Sequence, residues 1–390
     1  MATLQLQKSV LTPERAYWLA WAQIPHIGAV LMQRLQRTFG SLSAAWEANS
    51  TELARVQGLG GATLESVLIE RRKWEPEALL QQHLQKNPHF WTPADADYPQ
   101  LLREIPDPPP ILYYRGKVEP LENQGMIPAI AIVGTRTPSN YGKLWTRKFS
   151  KLLTEAGFTV VSGLAAGVDT EAHTTCIKAN GRTIAVLGTG VNMVYPRENL
   201  ELAQQIVETG LLLSEYPAGT PPNRVHFPRR NRIIAGLSRA TLVLEAPEKS
   251  GALITARLAN DYNRDVYALP GSLSNPQSKG CLGLLNQGAQ LILGEAELLE
   301  ALSNIPQLHA STQLSLLNLV PESEALPSTP IQLHPELNAI FQAIAPEPTA
   351  VDRIVQETGQ SPSQVLSALA QLELMGVITQ LPGMRYQRES

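Results

Sequence analysis

The sequence is short of the residues that would assign it to several common classes of protein. Its 390 residues include only two cysteines, Cys176 and Cys281, and they do not stand at a metal-ligand spacing. Cys176 lies in an apolar helical pattern, so we expect two buried thiols rather than a disulfide or a nucleophile. The seven histidines do not cluster with carboxylates at ligand spacing, so neither a metal nor another cofactor is predicted.

Long apolar runs are absent as well. No stretch approaches the roughly 18 residues needed to span a bilayer, and the first residues, MATLQLQKSVLTPER, lack the pattern of a secretory signal. A composition of 43% hydrophobic and 17% charged residues is typical of a soluble protein with two to four domains. We therefore expect a cytoplasmic protein that makes no membrane contact.

Charge is unevenly distributed behind a net charge of −3. Residues 127–294 carry 17 Lys and Arg against 11 Asp and Glu, and every other part of the chain is balanced or acidic. Such a pattern favours a polyanion as the partner of the middle region, with the flanks serving another purpose.

The same counts, together with proline and glycine positions, predict five segments. They are a helical unit over 1–75, a Pro-rich connector over 76–126, a core over 127–294, a linker over 295–330 and a terminal unit over 331–390. In the first unit, glycine turns at 24–28 and 56–60 each precede a helical pattern, as in the helix-hairpin-helix motif that contacts DNA phosphates. Two glycine turns in a small helical bundle are an equally good interpretation.

The core alternates apolar strand-like runs with helical segments. The runs are at 129–133, 159–162, 183–187, 211–214, 241–245 and 266–269. This alternation predicts an α/β fold of the Rossmann-like, doubly wound type, with a mostly parallel sheet covered on both faces.

The terminal unit has the pattern of a winged helix. Helices are predicted near 335–344, 350–358 and 362–375, followed by a β-ribbon that turns at Pro382 and Gly383. The third helix contains Glu373 and no Lys or Arg, which favours a protein-contact or regulatory role over duplex binding through that helix.

Turns that leave the carboxyl ends of the predicted strands are the expected ligand site. They contain Gly134, Gly163 and the pair Ser250 and Gly251, and two of these turns add a cation, Arg136 or Lys249. None of them matches a dinucleotide-binding or phosphate-loop motif, so neither NAD nor ATP is specified. A cation at a glycine turn is typical of an anion pocket.

The segment HFPRRNRIIAGLS, residues 226–238, carries the strongest signal. Pro228 favours the first turn of a helix, where free amides and the helix dipole attract phosphate. The segment supplies five further candidate residues: Phe227, Arg229, Arg230, Asn231 and Arg232. Phe227 could stack on a base. The alternative is an ordinary exposed helix start.

Seven motifs of the core, in order, resemble the DNA-processing protein A (DprA/Smf) family. They are VGTR, VVSGLAAGVDTEAH, TIAVLGTGVNMVYPREN, LLLSEYPAG, FPRRNRIIAGLS, VLEAPEKSGALITARLA and ALPG. The resemblance implies sequence-independent binding of single-stranded DNA, a homodimer or larger assembly, and loading of the RecA recombinase during DNA uptake or recombination. It places the family's basic pocket on seven residues: Arg136, Phe227, Arg229, Arg230, Asn231, Arg232 and Lys249. Leu282 departs from the family, because many relatives have Asn there.

Two enzymatic alternatives can be drawn. Ser162, Asp169 and His173 could form a hydrolytic set, although Asp169 also fits a helix-start residue with His173 as its partner. A phosphoribohydrolase with a Rossmann-like nucleotide site is the second alternative, but Lys249 stands near where that class carries a catalytic acid. We therefore expect a binding protein without catalytic residues.

Overall fold

The computed structural model describes residues 13–303, 305, 335–345, 348–374, 377–381 and 384–388. The chain forms two compact units, Met1–Gln313 and Leu314–Ser390. The predicted linker falls mostly outside the described residues, as does the turn at Pro382 and Gly383.

Helices form the first part of the chain. They are α1 (Pro13–Ala22), α2 (Ala29–Phe39), α3 (Leu42–Glu47), α4 (Ser50–Leu53), α5 (Gly61–Glu70), a 3₁₀ turn (Arg71–Lys73) and α6 (Pro76–Lys86). Trp18, Trp21 and Leu35 form much of their apolar core. Both glycine turns directly precede a helix, at Gly28 and Gly60. Arg34 of the first hairpin donates to the Gln57 carbonyl at 2.7 Å, so this cation holds the two turns together.

A nine-stranded sheet forms the centre of the larger unit. Its elements are β1 (Phe90–Trp91), α7 (Gln100–Arg103), β2 (Leu112–Gly116), α8 (Pro120–Asn123), β3 (Ala129–Val133), α9 (Asn140–Glu155), β4 (Thr159–Ser162), α10 (Val168–Lys178), β5 (Thr183–Leu187), α11 (Leu200–Thr209), β6 (Leu211–Ser214), α12 (His226–Leu237), β7 (Ala240–Val243), α13 (Ala252–Asp261), β8 (Asp265–Ala268), α14 (Lys279–Asn286), β9 (Gln290–Leu291) and α15 (Glu295–Ser303). The strand order is β1-β2-β6-β5-β4-β3-β7-β8-β9. β3 to β9 pair in parallel, and β1 and β2 are antiparallel at one edge.

Alternate residues of β3 explain why the sheet needs helices on both faces. Ile130 and Ile132 pack into a cluster with Phe149 of α9. Ala131, one position along, packs into a second cluster with Ile234 of α12. Because successive strand residues point to opposite faces, an all-apolar strand must be covered on both sides. The predicted doubly wound, mostly parallel fold is confirmed.

The described structure contains elements that were not predicted, among them three strands of the large sheet, the helices α6, α7 and α8 of the predicted connector, and strand β10 (Thr349–Ala350) of the smaller unit. β1 and β2 lie in the segment that was interpreted as a Pro-rich connector, and β9 is only two residues long. Strands this short carry no periodic signal, and the prolines before Leu112 favour a loop. α15 lies in the predicted linker and buries Leu298 and Leu302 in the core. The five segment boundaries stay predictions.

The smaller unit is a winged helix. It contains α16 (Pro335–Ala343), β10 (Thr349–Ala350), α17 (Val351–Thr358), α18 (Pro362–Leu374), β11 (Ile378–Leu381) and β12 (Arg385–Arg388). The three strands pair in the order β10-β12-β11, and Ile340, Ile354 and Leu369 are buried in its core. The predicted winged-helix pattern is confirmed.

Both cysteines are free and buried, as expected. Burial raises the pKa of Cys176 to about 11 and that of Cys281 to about 12. Within the described ranges, no helix has the length and apolar character that crossing a bilayer requires.

His173 of α10 is completely buried against β5. Its Nδ1 lies 2.7 Å from the Thr183 hydroxyl, which itself donates to the Val160 carbonyl. The ring therefore donates to Thr183, so Nδ1 carries a proton. Burial lowers the pKa of His173 to about 3, and the nearby Arg230 acts in the same direction.

This histidine should make the folded state sensitive to acid. Below pH 6.5, the ordinary pKa of histidine, His173 binds a proton in the unfolded state but not in the folded state. The free energy of unfolding therefore decreases as the pH is lowered from about 6.5 to about 3. We expect His173 to account for a loss of about 2 kcal/mol between pH ~7 and pH ~5. Urea denaturation at both pH values checks this. His173→Gln should lose that pH dependence, whereas exposed His89→Gln should keep it; equal slopes in both variants would contradict the assignment.

Gly116 at the end of β2 allows a close approach to the end of α11. Its φ is +123°, and a Cβ there would lie 2.5 Å from the Gly210 carbonyl oxygen. We expect Gly116→Ala to destabilise the larger unit by about 1 to 3 kcal/mol, since both strain and overlap oppose it. Gly283→Ala, on α14 with open space around it, should be neutral or stabilising. Urea midpoints test the pair, and equal effects would exclude the proposed overlap.

Candidate functional site

A pocket of about 620 Å³ lies at the carboxyl ends of β3, β4 and β7. β3 lies between β4 and β7, so the chain crosses to opposite sides of it, and this is the topological switch point where doubly wound sheets bind ligands. We call it the strand-end pocket. Its lining residues are Val133, Gly134, Thr135, Arg136, Ala165, Asp169, Tyr195, Arg224, Phe227, Pro228, Arg230, Asn231, Ile234, Pro247, Lys249, Ser250, Gly251, Ala252 and Thr255.

Most of the predicted site residues meet here. Eight of them line the pocket: Gly134, Arg136, Phe227, Arg230, Asn231, Lys249, Ser250 and Gly251. Gly163, Arg229 and Arg232 do not belong to its lining. Residues from three strand-end turns and one helix start therefore form a single concave surface.

Three exposed cations supply the free charge of the pocket. They are Arg136 after β3, Lys249 after β7 and Arg224 before α12. None forms an ion pair with an acid in the described part of the chain. An anion that enters the pocket would therefore meet uncompensated positive charge.

An aromatic pair lies beside these cations. The Arg136 guanidinium is 5.8 Å from the centre of the Phe227 ring, and the Tyr195 ring centre is 5.6 Å from that of Phe227. Tyr195 is 45% exposed. Flat faces next to guanidinium groups suit a nucleobase attached to a phosphate.

Tyr195 and Arg224 were missed as site residues. Tyr195 stands in the VNMVYPREN motif, and Arg224 stands four residues before Pro228. Both are therefore close in sequence to segments that were predicted to form the site. Each lies in an irregular loop, where neither strand nor helix periodicity indicates which side chains face the ligand.

Arg230 lines the pocket, but it is a buried arginine whose guanidinium also has structural partners. Its Nη1 donates to the Gly163 carbonyl at 2.6 Å and to the Val186 carbonyl. Burial lowers the pKa of Arg230 to about 10, and Asp169 opposes that effect, so the guanidinium stays charged at neutral pH. It contributes positive potential as a buried part of the pocket lining.

Gly163 leaves room for the guanidinium of Arg230. A Cβ at Gly163 would lie 2.5 Å from both terminal nitrogens of Arg230. The glycine is required for the approach of a buried guanidinium, which differs from the ligand contact that the sequence suggested.

Arg232 is also committed to the fold. Its guanidinium pairs with Glu215 and with Asp107, and its side chain is only 12% exposed. Tyr262 donates to the same Asp107 carboxylate at 2.9 Å. Arg232 therefore joins α12 to the segment before β2, with its charge already compensated. Arg229, in contrast, is exposed on α12 outside the pocket.

The three residues of the hydrolytic alternative do not form a Ser-His-Asp chain, although the Ser162 side chain lies close enough to Asp169 to interact with it. The Ser162 hydroxyl donates to the Ile132 carbonyl, and His173 is bound to Thr183. Asp169 is buried in the first turn of α10, where its Oδ2 accepts from the amides of Gly163 and Ala165. The expected pairing of Asp169 with His173 is wrong, because the imidazole Nδ1 is bound to Thr183 and the buried Nε2 has no hydrogen-bond partner among the described residues.

Glu245, the nearest acid at the end of β7, has a structural role too. It is buried, and its carboxylate accepts from the Ser139 amide, the Ser139 hydroxyl and the Asn275 amide group. It fixes the start of α9 to the β7 turn and does not line the strand-end pocket.

Comparisons with known proteins agree with this architecture. The family model described as DNA recombination-mediator protein A matches residues 89–303, and the DprA winged helix domain model matches residues 324–384. Protein Smf of Synechocystis is 49% identical over 393 residues, covering 96% of this chain and 99% of its own.

Matches to DprA proteins are shorter. The DNA processing protein DprA of Streptococcus pneumoniae is 40% identical over 247 residues, covering 63% of this chain and 86% of its own. The X-ray structure of DprA from that organism superposes with a TM-score of 0.64 at 34% identity, covering 74% of this chain and 98% of its own. With a family model over the whole sheet and a relative aligned along almost the full length, the chain belongs to the DprA/Smf family of DNA-processing proteins.

Proposed function

We propose that the protein binds single-stranded DNA without sequence preference in the strand-end pocket and delivers it to the RecA recombinase. The observation that carries this proposal is the placement of Arg136 over the Phe227 ring, among cations that have no acidic partner in the described structure. Cations hold the phosphates, and the ring accepts a base of any kind.

Helix geometry adds to the attraction of phosphate. α13 begins at Ala252, and the residues before it, Ser250 and Gly251, line the pocket next to Lys249. The amides of a first helical turn and the helix dipole both favour an anion there. Phosphate groups are therefore expected to lie between the Arg136 turn and the start of α13.

A single strand fits this surface better than a duplex. In a duplex the faces of the bases are stacked on one another, whereas Phe227 and Tyr195 need a base that offers a free face. Stacking discriminates poorly among bases, so sequence-independent binding follows from the same two rings.

Binding is favoured over catalysis because Asp169 is the only acidic residue among the described lining residues. Its carboxylate is buried, and its Oδ2 accepts from the amides of Gly163 and Ala165, which indicates a structural role at the start of α10. A phosphoribohydrolase-like enzyme remains the alternative function, and it would need an acid from elsewhere.

RecA as the receiving partner and a homodimer or larger assembly rest on the family resemblance and are part of the proposal. The description of the family model as a recombination mediator supports the RecA role. The cytoplasmic location stays a prediction from the sequence.

The charge contribution is tested with Arg136→Ala. We expect about tenfold weaker binding to oligo-dT and a salt slope lower by about 0.7, because one phosphate contact is lost. Fluorescence anisotropy across a salt series measures both quantities. Arg257→Ala removes the same charge from an exposed site on α13 outside the pocket and should bind like wild type. Unchanged binding by Arg136→Ala, or turnover of free nucleotides by wild type, would refute the proposal.

The stacking contribution is tested separately with Phe227→Leu. This change keeps an apolar side chain but removes the flat face, so affinity for oligo-dT should fall by about 1 to 3 kcal/mol with an unchanged salt slope. Phe227→Trp should restore the affinity. If Phe227→Leu lowered the salt slope as Arg136→Ala does, the ring would be acting only by positioning Arg136.

A further inference from the structure

A second concave surface lies at the antiparallel edge of the sheet, outside the strand-end pocket. It encloses about 610 Å³ between the end of α6, the segment before β1, strand β2, helix α11 and the loops after β5 and β6. We call it the edge groove. Its lining residues are Lys86, Asn87, Pro88, His89, Tyr113, Tyr114, Arg115, Gly116, Lys117, Val191, Asn192, Val207 and Ala218.

The charge of the edge groove is uniformly positive. Lys86, Arg115 and Lys117 are all exposed, and no acidic residue belongs to the described lining. None of the three cations forms an ion pair with an acid in the residues that the structure describes. Three uncompensated cations around one cavity favour a ligand with more than one negative charge.

Two asparagines of the groove are oriented to donate. The Asn87 Oδ1 accepts from the Ala218 amide at 2.7 Å, and the Asn192 Oδ1 accepts from the Gly219 amide at 2.7 Å. Since each side-chain oxygen accepts from a loop amide, the other polar group of each asparagine is its NH₂ group, which can only donate. Phosphate oxygens, which only accept, are the matching chemistry.

Rings complete the surface. Tyr114 stacks on Trp91 with ring centres 4.0 Å apart, and the exposed His89 lies 5.5 Å from Tyr114. The combination of unpaired cations and aromatic rings repeats the chemistry of the strand-end pocket, with no residue shared between the two.

The same two loops line both surfaces. The Gly190 amide donates to the Thr220 carbonyl at 3.0 Å, which joins the loop after β5 to the loop after β6. The first loop contributes Asn192 to the groove and Tyr195 to the pocket. They stand three positions apart in the sequence, so their Cα atoms are at most about 11 Å apart. A strand can therefore pass from one surface to the other over this wall.

We propose that the edge groove is a second phosphodiester-binding site, which takes the DNA strand where it leaves the strand-end pocket. The proposal rests on the proposed function, because the strand must first occupy the pocket. Lys86, Arg115 and Lys117 hold phosphates, and the groove lengthens the bound segment of DNA without adding sequence preference.

The test compares two double variants with the same loss of charge. Lys86→Gln with Lys117→Gln removes two lysines from the groove, and Lys151→Gln with Lys178→Gln removes two exposed lysines from α9 and α10. Each is titrated with oligo-dT of about 6 and about 20 nucleotides across a salt series, since single-strand sites cover roughly 4 to 16 nucleotides per binding domain. The third ligand is a duplex of about 20 base pairs, which has the same number of nucleotides per strand as the long oligo-dT.

We expect the groove variant to bind the short strand like wild type and the long strand on the order of tenfold more weakly. Its salt slope on the long strand should fall by about 1.4, which corresponds to two lost phosphate contacts at about 0.7 each. The control variant should match wild type on both strands.

Several results would overturn the proposal that the edge groove binds DNA. One is that the groove variant binds the long strand as tightly as wild type, while Arg136→Ala weakens the binding of both strands. This result would leave the proposed function intact. Equal losses in groove and control variants would show an effect of net charge alone. A loss confined to the duplex would assign the groove to another ligand. If wild type bound neither strand, the proposed function would fail and the groove with it.

Discussion

The burial of one guanidinium, that of Arg230, is the constraint on which the site depends. A buried charge is costly unless hydrogen bonds and an opposite charge compensate it. Here the Gly163 and Val186 carbonyls accept from it, and the Asp169 carboxylate favours its charged form. Those bonds fix the first turns of α12 above the ends of β4 and β5. Phe227, three residues earlier, is thereby held over the ligand surface, and its ring lies within reach of Arg136.

Helix geometry explains why three arginines close in sequence have three different roles. Successive helical residues are rotated by about 100°, so Arg229, Arg230 and Arg232 leave α12 in different directions. Arg229 is exposed, Arg230 is buried in the lining of the pocket, and Arg232 is paired with Glu215 and Asp107. The sequence predicts that this segment belongs to the site. It cannot predict which arginine is free, because that depends on the strands and loops that each one meets.

The same distinction separates the predictable part of the fold from the rest. Runs such as AIAIV at β3 and TIAVL at β5 are buried on both faces, so their composition alone indicates parallel strands, and the order of glycine turns locates the ligand edge. β1 and β9 have two residues each, and β2 follows a proline-rich loop, so they depend on pairing with strands that already exist. Tyr195 and Arg224 depend in the same way on loop conformation.

Counting charges by segment hides where positive charge is available. Within the basic core, Arg182 is paired with Glu122, Arg264 with Glu104 and Arg147 with Glu171. Much of the core's positive charge therefore takes part in ion pairs within the fold. The three cations of the edge groove come instead from the segment before the core, where Lys and Arg nearly balance Asp and Glu. What a polyanion meets is the local field of unpaired cations, and the field falls off within about 10 Å at moderate salt. The antiparallel addition of β2 beside β6 brings a charge-balanced segment to the loops that line the pocket, and so extends the basic surface beyond the core that the composition identified.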